Sequence, residues 1–232
     1  MFIHGREAYR RNSMLILYNF YKNVLYVSVQ YYFGFMSAFS GQPLYEPFIY
    51  QLYNITFTSL PIMFYSLFDF EYEKEQNSYK ASLARRDGIQ QLFFMKHPHL
   101  YRIGLLNECF GVNLFFRWIM YALWHALVIY FTCMWALSLP TQSQAHNGKD
   151  LGFWLAGHVV YGTCVMVANI TIMHKFNNFT GWGEGLAFGM ILSFYTILFL
   201  ESLFRFFPQV FYIFNTMYLQ VSVWAAIVFC CL

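Results

Sequence analysis

The chain has 232 residues, of which 59% are hydrophobic and 11% charged, with a formal net charge of +3; soluble domains run at about 45–50% apolar and about 25% charged. That balance excludes a soluble globular protein, and 28 Phe with 19 Tyr suit side chains that face lipid tails and headgroups. At about 20 residues per span, six spans would use about 120 residues and leave no room for a catalytic domain outside the membrane.

Six apolar runs predict an all-α, polytopic membrane bundle with six transmembrane helices, at 14–39, 48–68, 113–137, 151–173, 184–204 and 212–232. Residues 1–13 precede the first run as a short cytosolic stalk. That run is too long for a signal-peptide core and has no small-x-small cleavage site, so no cleavable leader is read. Ser40-Gly41-Gln42-Pro43 predicts a tight turn, because Gly tolerates positive φ and Pro cannot continue a helix, so residues 14–68 form a helical hairpin. A polar loop follows at 69–112, with Lys74, Lys80, Arg85, Arg86, Lys96 and Arg102. Residues 113–232 then form a four-helix region with polar loops at 140–150, 175–183 and 203–211, the last holding Pro208. An N terminus on the cytosolic side places ten Lys and Arg there, against Lys149 and Arg205 on the other side, so both termini are expected to be cytosolic. Cys230-Cys231-Leu232 ends the sequence within an apolar run, as an abrupt end or a truncated fragment would.

An ionisable group at bilayer depth costs several kcal/mol unless it snorkels or finds a partner, so each one is a functional candidate. Lys22 lies about 12 Å into the first run, on a four-residue stripe with Tyr18, Tyr26 and Gln30. A snorkelling lysine is the alternative. In the second run Asn54, Thr58, Pro61 and Tyr65 recur on one helical face. Pro61 has no N–H to donate, so the Phe57 carbonyl loses its usual helical partner, the helix kinks, and that carbonyl is free to accept another hydrogen bond. Across the hairpin the two faces, with Lys22, Tyr26, Asn54, the Phe57 carbonyl and Thr58, could form a polar track through the bilayer. Alternatively, Asn and Thr only cross-link helices.

Other polar residues carry less. The seven histidines show no clustered metal-ligand pattern, and the five cysteines, Cys109, Cys133, Cys164, Cys230 and Cys231, have no C-x-x-C spacing, so no metal site is predicted and the thiols read as small packers. Sequons begin at Asn54, Asn169 and Asn178, two within spans and one in a cytosolic loop, where none should be glycosylated. Glu184 and Glu201 read as helix-end residues. No nucleotide-binding signature occurs, and no nucleic-acid partner is expected.

Particular strings carry a resemblance. Ile3-His4-Gly5-Arg6-Glu7-Ala8-Tyr9-Arg10-Arg11-Asn12-Ser13 and Leu17-Tyr18-Asn19-Phe20-Tyr21-Lys22-Asn23 resemble the start of the fifth span of type IV P-type ATPases, the phospholipid flippases. Gly34-Phe35, Phe39-Ser40-Gly41-Gln42 and Tyr53 to Pro61 are similar to their fifth-to-sixth hairpin, Pro98-His99-Leu100-Tyr101 to their next cytosolic loop, and Trp118 with His125 to their seventh span. The resemblance implies spans five to ten of a ten-span pump that moves phospholipid from the exoplasmic to the cytosolic leaflet. It also implies that Lys22 acts on the lipid headgroup and that Asn23 and Asn54 line or shape the groove. For the complete protein it implies ATP and magnesium, an N-terminal half, a glycosylated accessory subunit, and a Golgi, endosomal or plasma membrane location. The D-K-T-G-T phosphorylation string is absent from the chain, so two readings stand. One is a transport pathway lacking its ATPase domains, with Lys22 and Asn54 facing each other near mid-membrane. The other is an isolated scaffold or regulatory remnant that moves no lipid.

Overall fold

The computed structural model describes residues 5–69, 102–138, 152–176, 181–203, 213–214, 217 and 220–231. The bulk of the 69–112 loop with its Pro98–Tyr101 string, the 140–150 loop with Lys149, the Asn178 sequon, and Arg205 and Pro208 lie outside them. Among the described residues every regular element is helical.

Helix α1, Gly5–Met36, has 32 residues and is about 48 Å long, enough to cross a hydrocarbon core of about 30 Å and extend beyond it. Stalk and first span are therefore one continuous helix. It stops at Met36, three residues before the predicted end, because Ala38 and Phe39 take positive φ (50° and 54°) ahead of Gly41 (80°). The second span is broken. Helix α2, Pro47–Leu52, starts with proline at its first position and with Glu46 accepting from the Phe48 and Ile49 amides at 2.9 Å each. A π turn, Tyr53–Phe57, follows, and helix α3, Ser59–Phe68, resumes after Thr58. The predicted kink at Pro61 thus lies just upstream of it. The proline itself occupies the first turn of α3, where a missing N–H leaves no intrahelical bond unmade.

After the single turn α4, Arg102–Leu105, come α5, Val112–Ser138, α6, Phe153–Met173, α7, Gly181–Leu203, and α8, Val221–Cys231. By length and composition, Val112–Leu137, Phe153–Met173 and Trp182–Leu203 can each cross a membrane. Glu184 sits in the first turn of α7, where an acid complements the helix dipole.

Side-chain pairs fix the helix directions. Tyr18 meets Ala168 and Phe33 meets Phe153, so α1 and α6 are antiparallel. Tyr161 reaches Ile49 and Asn169 reaches Phe57, so α6 runs with the second span. Phe20 meets Phe115 and Tyr32 meets Tyr130, so α1 and α5 are parallel. Helix α6 is the central post: 78% of its apolar stretch is buried, against 28% for α5 and 39% for α7. It comes close because it is small where it touches. A Cβ at Gly157 would collide with the Leu44 carbonyl of the hairpin turn, and one at Gly162 would press on the Phe194 ring of α7. Outward rows at helical spacing, Phe116, Met120 and Trp124 on α5 and Phe188 and Leu192 on α7, remain exposed, as a lipid-facing surface requires.

Candidate functional site

The four-residue stripe of α1 turns into the bundle. Tyr18 is fully buried and donates to the Ala168 carbonyl at 3.1 Å; Gln30 accepts from the Leu44 amide at 3.1 Å. Between them Lys22 is only 4% exposed, which is the opposite of a snorkelled lysine. Its Nζ donates to Thr58 Oγ1 at 3.1 Å and lies 6.0 Å from the centre of the Tyr18 ring. An ammonium has three donors, so among the described residues two remain unspent.

Thr58 meets Lys22 because of the break. Inside a bilayer every backbone acceptor needs a partner from the protein, and here side chains supply those that the π turn releases. Thr58 Oγ1 donates to the Tyr53 carbonyl at 2.8 Å, Ser59 Oγ to that of Ile55 at 2.5 Å, and Asn169 Nδ2, from α6, to that of Phe57 at 2.9 Å. The carbonyl that Pro61 frees does take a new hydrogen bond, and its donor comes from another helix.

The remaining candidates separate into two groups. Tyr26 is buried, its ring stacked between Tyr45 (4.7 Å between centroids) and Tyr53 (4.2 Å), while its hydroxyl reaches the Tyr50 carbonyl at 3.5 Å. Tyr53 in turn donates to the Lys22 carbonyl at 3.2 Å, and Tyr45 to that of Tyr26 at 3.3 Å. Phe57 is fully buried, edge-on to Tyr161 and Phe194. Asn23 and Asn54 are exposed. Thr58, Pro61 and Tyr65 keep the inward face predicted for them, but Asn54 lies within the wider π turn, which rotates it out of register. Lys22 is hydrogen-bonded to the hydroxyl of Thr58 and not to the amide of Asn54.

A family model described as phospholipid-translocating P-type ATPase C-terminal matches residues 1–232. The chain belongs to that family. It is 30% identical over 238 residues to the phospholipid-transporting ATPase 11C of Mus musculus, covering 98% of this chain and 19% of that protein. To the phospholipid-transporting ATPase IH of Homo sapiens it is 30% identical over 236 residues, with 98% and 19% covered. To the phospholipid-transporting ATPase C887.12 of Schizosaccharomyces pombe it is 32% identical over 176 residues, with 75% and 12% covered. The chain thus spans less than a fifth of the length of these relatives and corresponds to their C-terminal portion.

Two features of this ATPase C-terminal portion were not anticipated. At one end of the hairpin Arg10 bonds Glu7 (3.0 Å), Asp69 (2.9 Å) and the Tyr65 hydroxyl (2.8 Å), while Arg6 bonds Glu7 at 3.0 Å and Arg11 the Leu67 carbonyl at 2.8 Å. Burial works against the charge on Arg10, but Tyr65, Glu7 and Asp69 outweigh it and hold the guanidinium more firmly protonated than in water. At the other end Glu201 sits in the last turn of α7, as a helix-end residue should, yet it is buried. It is 5% exposed, and both its carboxyl oxygens are buried without a hydrogen-bond partner among the described residues.

Asn169 is the site residue that sequence reasoning passed over, being weighed only as a glycosylation sequon. A signal was present. An amide in the middle of an apolar run is the feature that singled out Asn54, and Asn169 has it too, with Tyr161 two turns away on the same face.

Proposed function

We propose that this chain is the membrane portion, spans five to ten, of a phospholipid-transporting pump, and that it supplies half of the path by which a headgroup passes from the exoplasmic to the cytosolic leaflet. The observation that carries this reading is Lys22, an ammonium buried at a helix break with two donors unspent among the described residues. A phosphodiester needs hydrogen-bond donors to replace the water it leaves, and a lysine beside a hydroxyl at the broken second span is placed to supply them. Asn23 and Asn54, on the outer side of the same hairpin, offer amides along the groove, while Tyr26, Phe57 and Thr58 hold its wall. The acyl tails stay in the bilayer as the head moves along this track.

In this reading α1, the broken second span, α5, α6, α7 and the segment containing α8 are the six spans. The alternating directions of α1, the second span, α5 and α6 and the placement of Lys and Arg agree with cytosolic termini. Residues 1–13 are the stalk, 14–68 carry the groove, 69–112 form a cytosolic loop and 113–232 are the supporting region. ATP and magnesium, implied for the complete pump, do not fit residues of this chain: its sequence has no nucleotide-binding string, and among the described residues no three His, Cys, Asp or Glu side chains converge. They would act on an N-terminal half, with a glycosylated accessory subunit as a further partner, in a Golgi, endosomal or plasma membrane.

The test is movement of a labelled phospholipid in vesicles, with the ATPase portion of a relative supplied in trans. Lys22→Ala is expected to lower transport at least about tenfold, the order expected when a charge-assisted hydrogen bond to the headgroup is lost. Equal transport by the two forms would remove Lys22 from the path. No transport by either would favour the scaffold reading.

A further inference from the structure

The lysine site depends on a break in the second span, and one residue outside the hairpin holds that break. Asn169, on α6, is fully buried. Its Nδ2 donates to the Phe57 carbonyl at 2.9 Å and to the Val165 carbonyl of its own helix at 2.8 Å, while its Oδ1 is buried without a partner. The orientation is unambiguous, because only the NH2 end of an amide can face two carbonyl oxygens. Both hydrogens are therefore committed, one to the central post and one to the turn that ends where Thr58 begins. Thr58 carries the hydroxyl that receives the Lys22 ammonium. A continuous chain of contacts runs from α6 through Asn169 and the Phe57 carbonyl to Thr58 and Lys22.

We propose that Asn169 is a positioning residue for the lysine site. It anchors the open π turn of the second span to the central post, so that Thr58 and Lys22 stay placed for a headgroup phosphate. This rests on the lipid-path reading of Lys22. Without the amide the Phe57 carbonyl loses this donor, and a regular helix cannot replace it because Pro61 has no N–H; the turn must shift to bring the carbonyl to another donor, which carries the adjoining Thr58 away from Lys22. The buried post thereby determines how well the broken second span binds lipid, through an amide that touches no lipid itself.

The experiment uses the pump assembled from this chain and a relative's ATPase portion in vesicles containing phosphatidylserine, with phosphatidylethanolamine as a second substrate. Lipid-stimulated ATP turnover gives KM for lipid separately from kcat. Asn169→Leu, similarly branched though bulkier and without a donor, is expected to raise KM roughly fivefold at nearly constant kcat, since one hydrogen bond to a neutral partner is at stake. In a Lys22→Met background the same change should leave KM where Lys22→Met alone puts it, because both act on one site. Infrared spectra with a labelled Phe57 carbonyl should show its stretch moving to higher frequency in Asn169→Leu. Asn169→Ala, which removes the donor without adding bulk, serves if the leucine variant does not fold; it should raise KM by a similar factor, and an unchanged KM in it counts against the inference in the same way. Additive effects of the Asn169 and Lys22 changes, or an unchanged KM in Asn169→Leu while Lys22→Met raises it, would overturn this inference and leave the lysine site standing. An unchanged KM in Lys22→Met would sink the lipid-path reading and this inference with it.

Discussion

Lys22 and Glu201 are both charged residues buried in a largely apolar bundle, but they differ in what surrounds them. Lys22 has a hydroxyl partner and an aromatic face close by, and the break that provides the hydroxyl is built into the neighbouring span. Glu201 has neither oxygen paired among the described residues, and a carboxyl left buried without a partner costs stability whether it carries a charge or a proton. Replacing it with an apolar side chain of similar size removes that cost. Glu201→Met is therefore expected to stabilise the protein by about 1–3 kcal/mol. Thermal unfolding in detergent micelles checks this, and a lower Tm than wild type would show that the carboxyl has a partner that holds it.

At the scale of elements, the broken second span and the central post depend on each other. Side chains satisfy the π turn, one of them from α6, and α6 reaches it because Gly157 and Gly162 let backbones and rings approach. Gly157 is the less tolerant of the two. A methyl group there meets the Leu44 carbonyl, a backbone atom that cannot rotate away, whereas at Gly162 it meets the end of a phenylalanine ring. Gly157→Ala is expected to cost about 1–3 kcal/mol and to loosen the hairpin turn, and Gly162→Ala to cost less. Proteolysis of the purified protein near residues 40–46 reports on the turn. Equal resistance of Gly157→Ala and wild type would contradict the close approach.

Over the whole molecule, the hairpin is fixed at both ends and in the middle. Glu46 and Gln30 hold the turn, Lys22, Thr58 and Asn169 hold the break, and the Arg10 cluster closes the end where α1 passes the last residue of the second span. Asp69 is 2% exposed, so Asp69→Asn leaves Arg10 with one of its two carboxylates and is expected to destabilise the protein by about 2 kcal/mol. Combining it with Arg10→Met gives a double-mutant cycle, measured by denaturation in micelles. A coupling energy near zero would mean that the clasp contributes nothing.

The sequence alone determined that this is a helical membrane protein, because hydrophobic runs and their lengths are one-dimensional quantities. It also determined that Lys22 was out of place and that Pro61 would leave the Phe57 carbonyl without a helical partner, since both follow from covalent chemistry and helical spacing. Only the tertiary structure decided who answers those needs. The donor to Phe57 lies 112 residues away on α6, the partner of Lys22 is Thr58, and a π turn moves Asn54 off the face that a regular helix would give it. A period of 3.6 residues holds only within an unbroken helix, and a partner on another helix depends on packing, which no local pattern encodes.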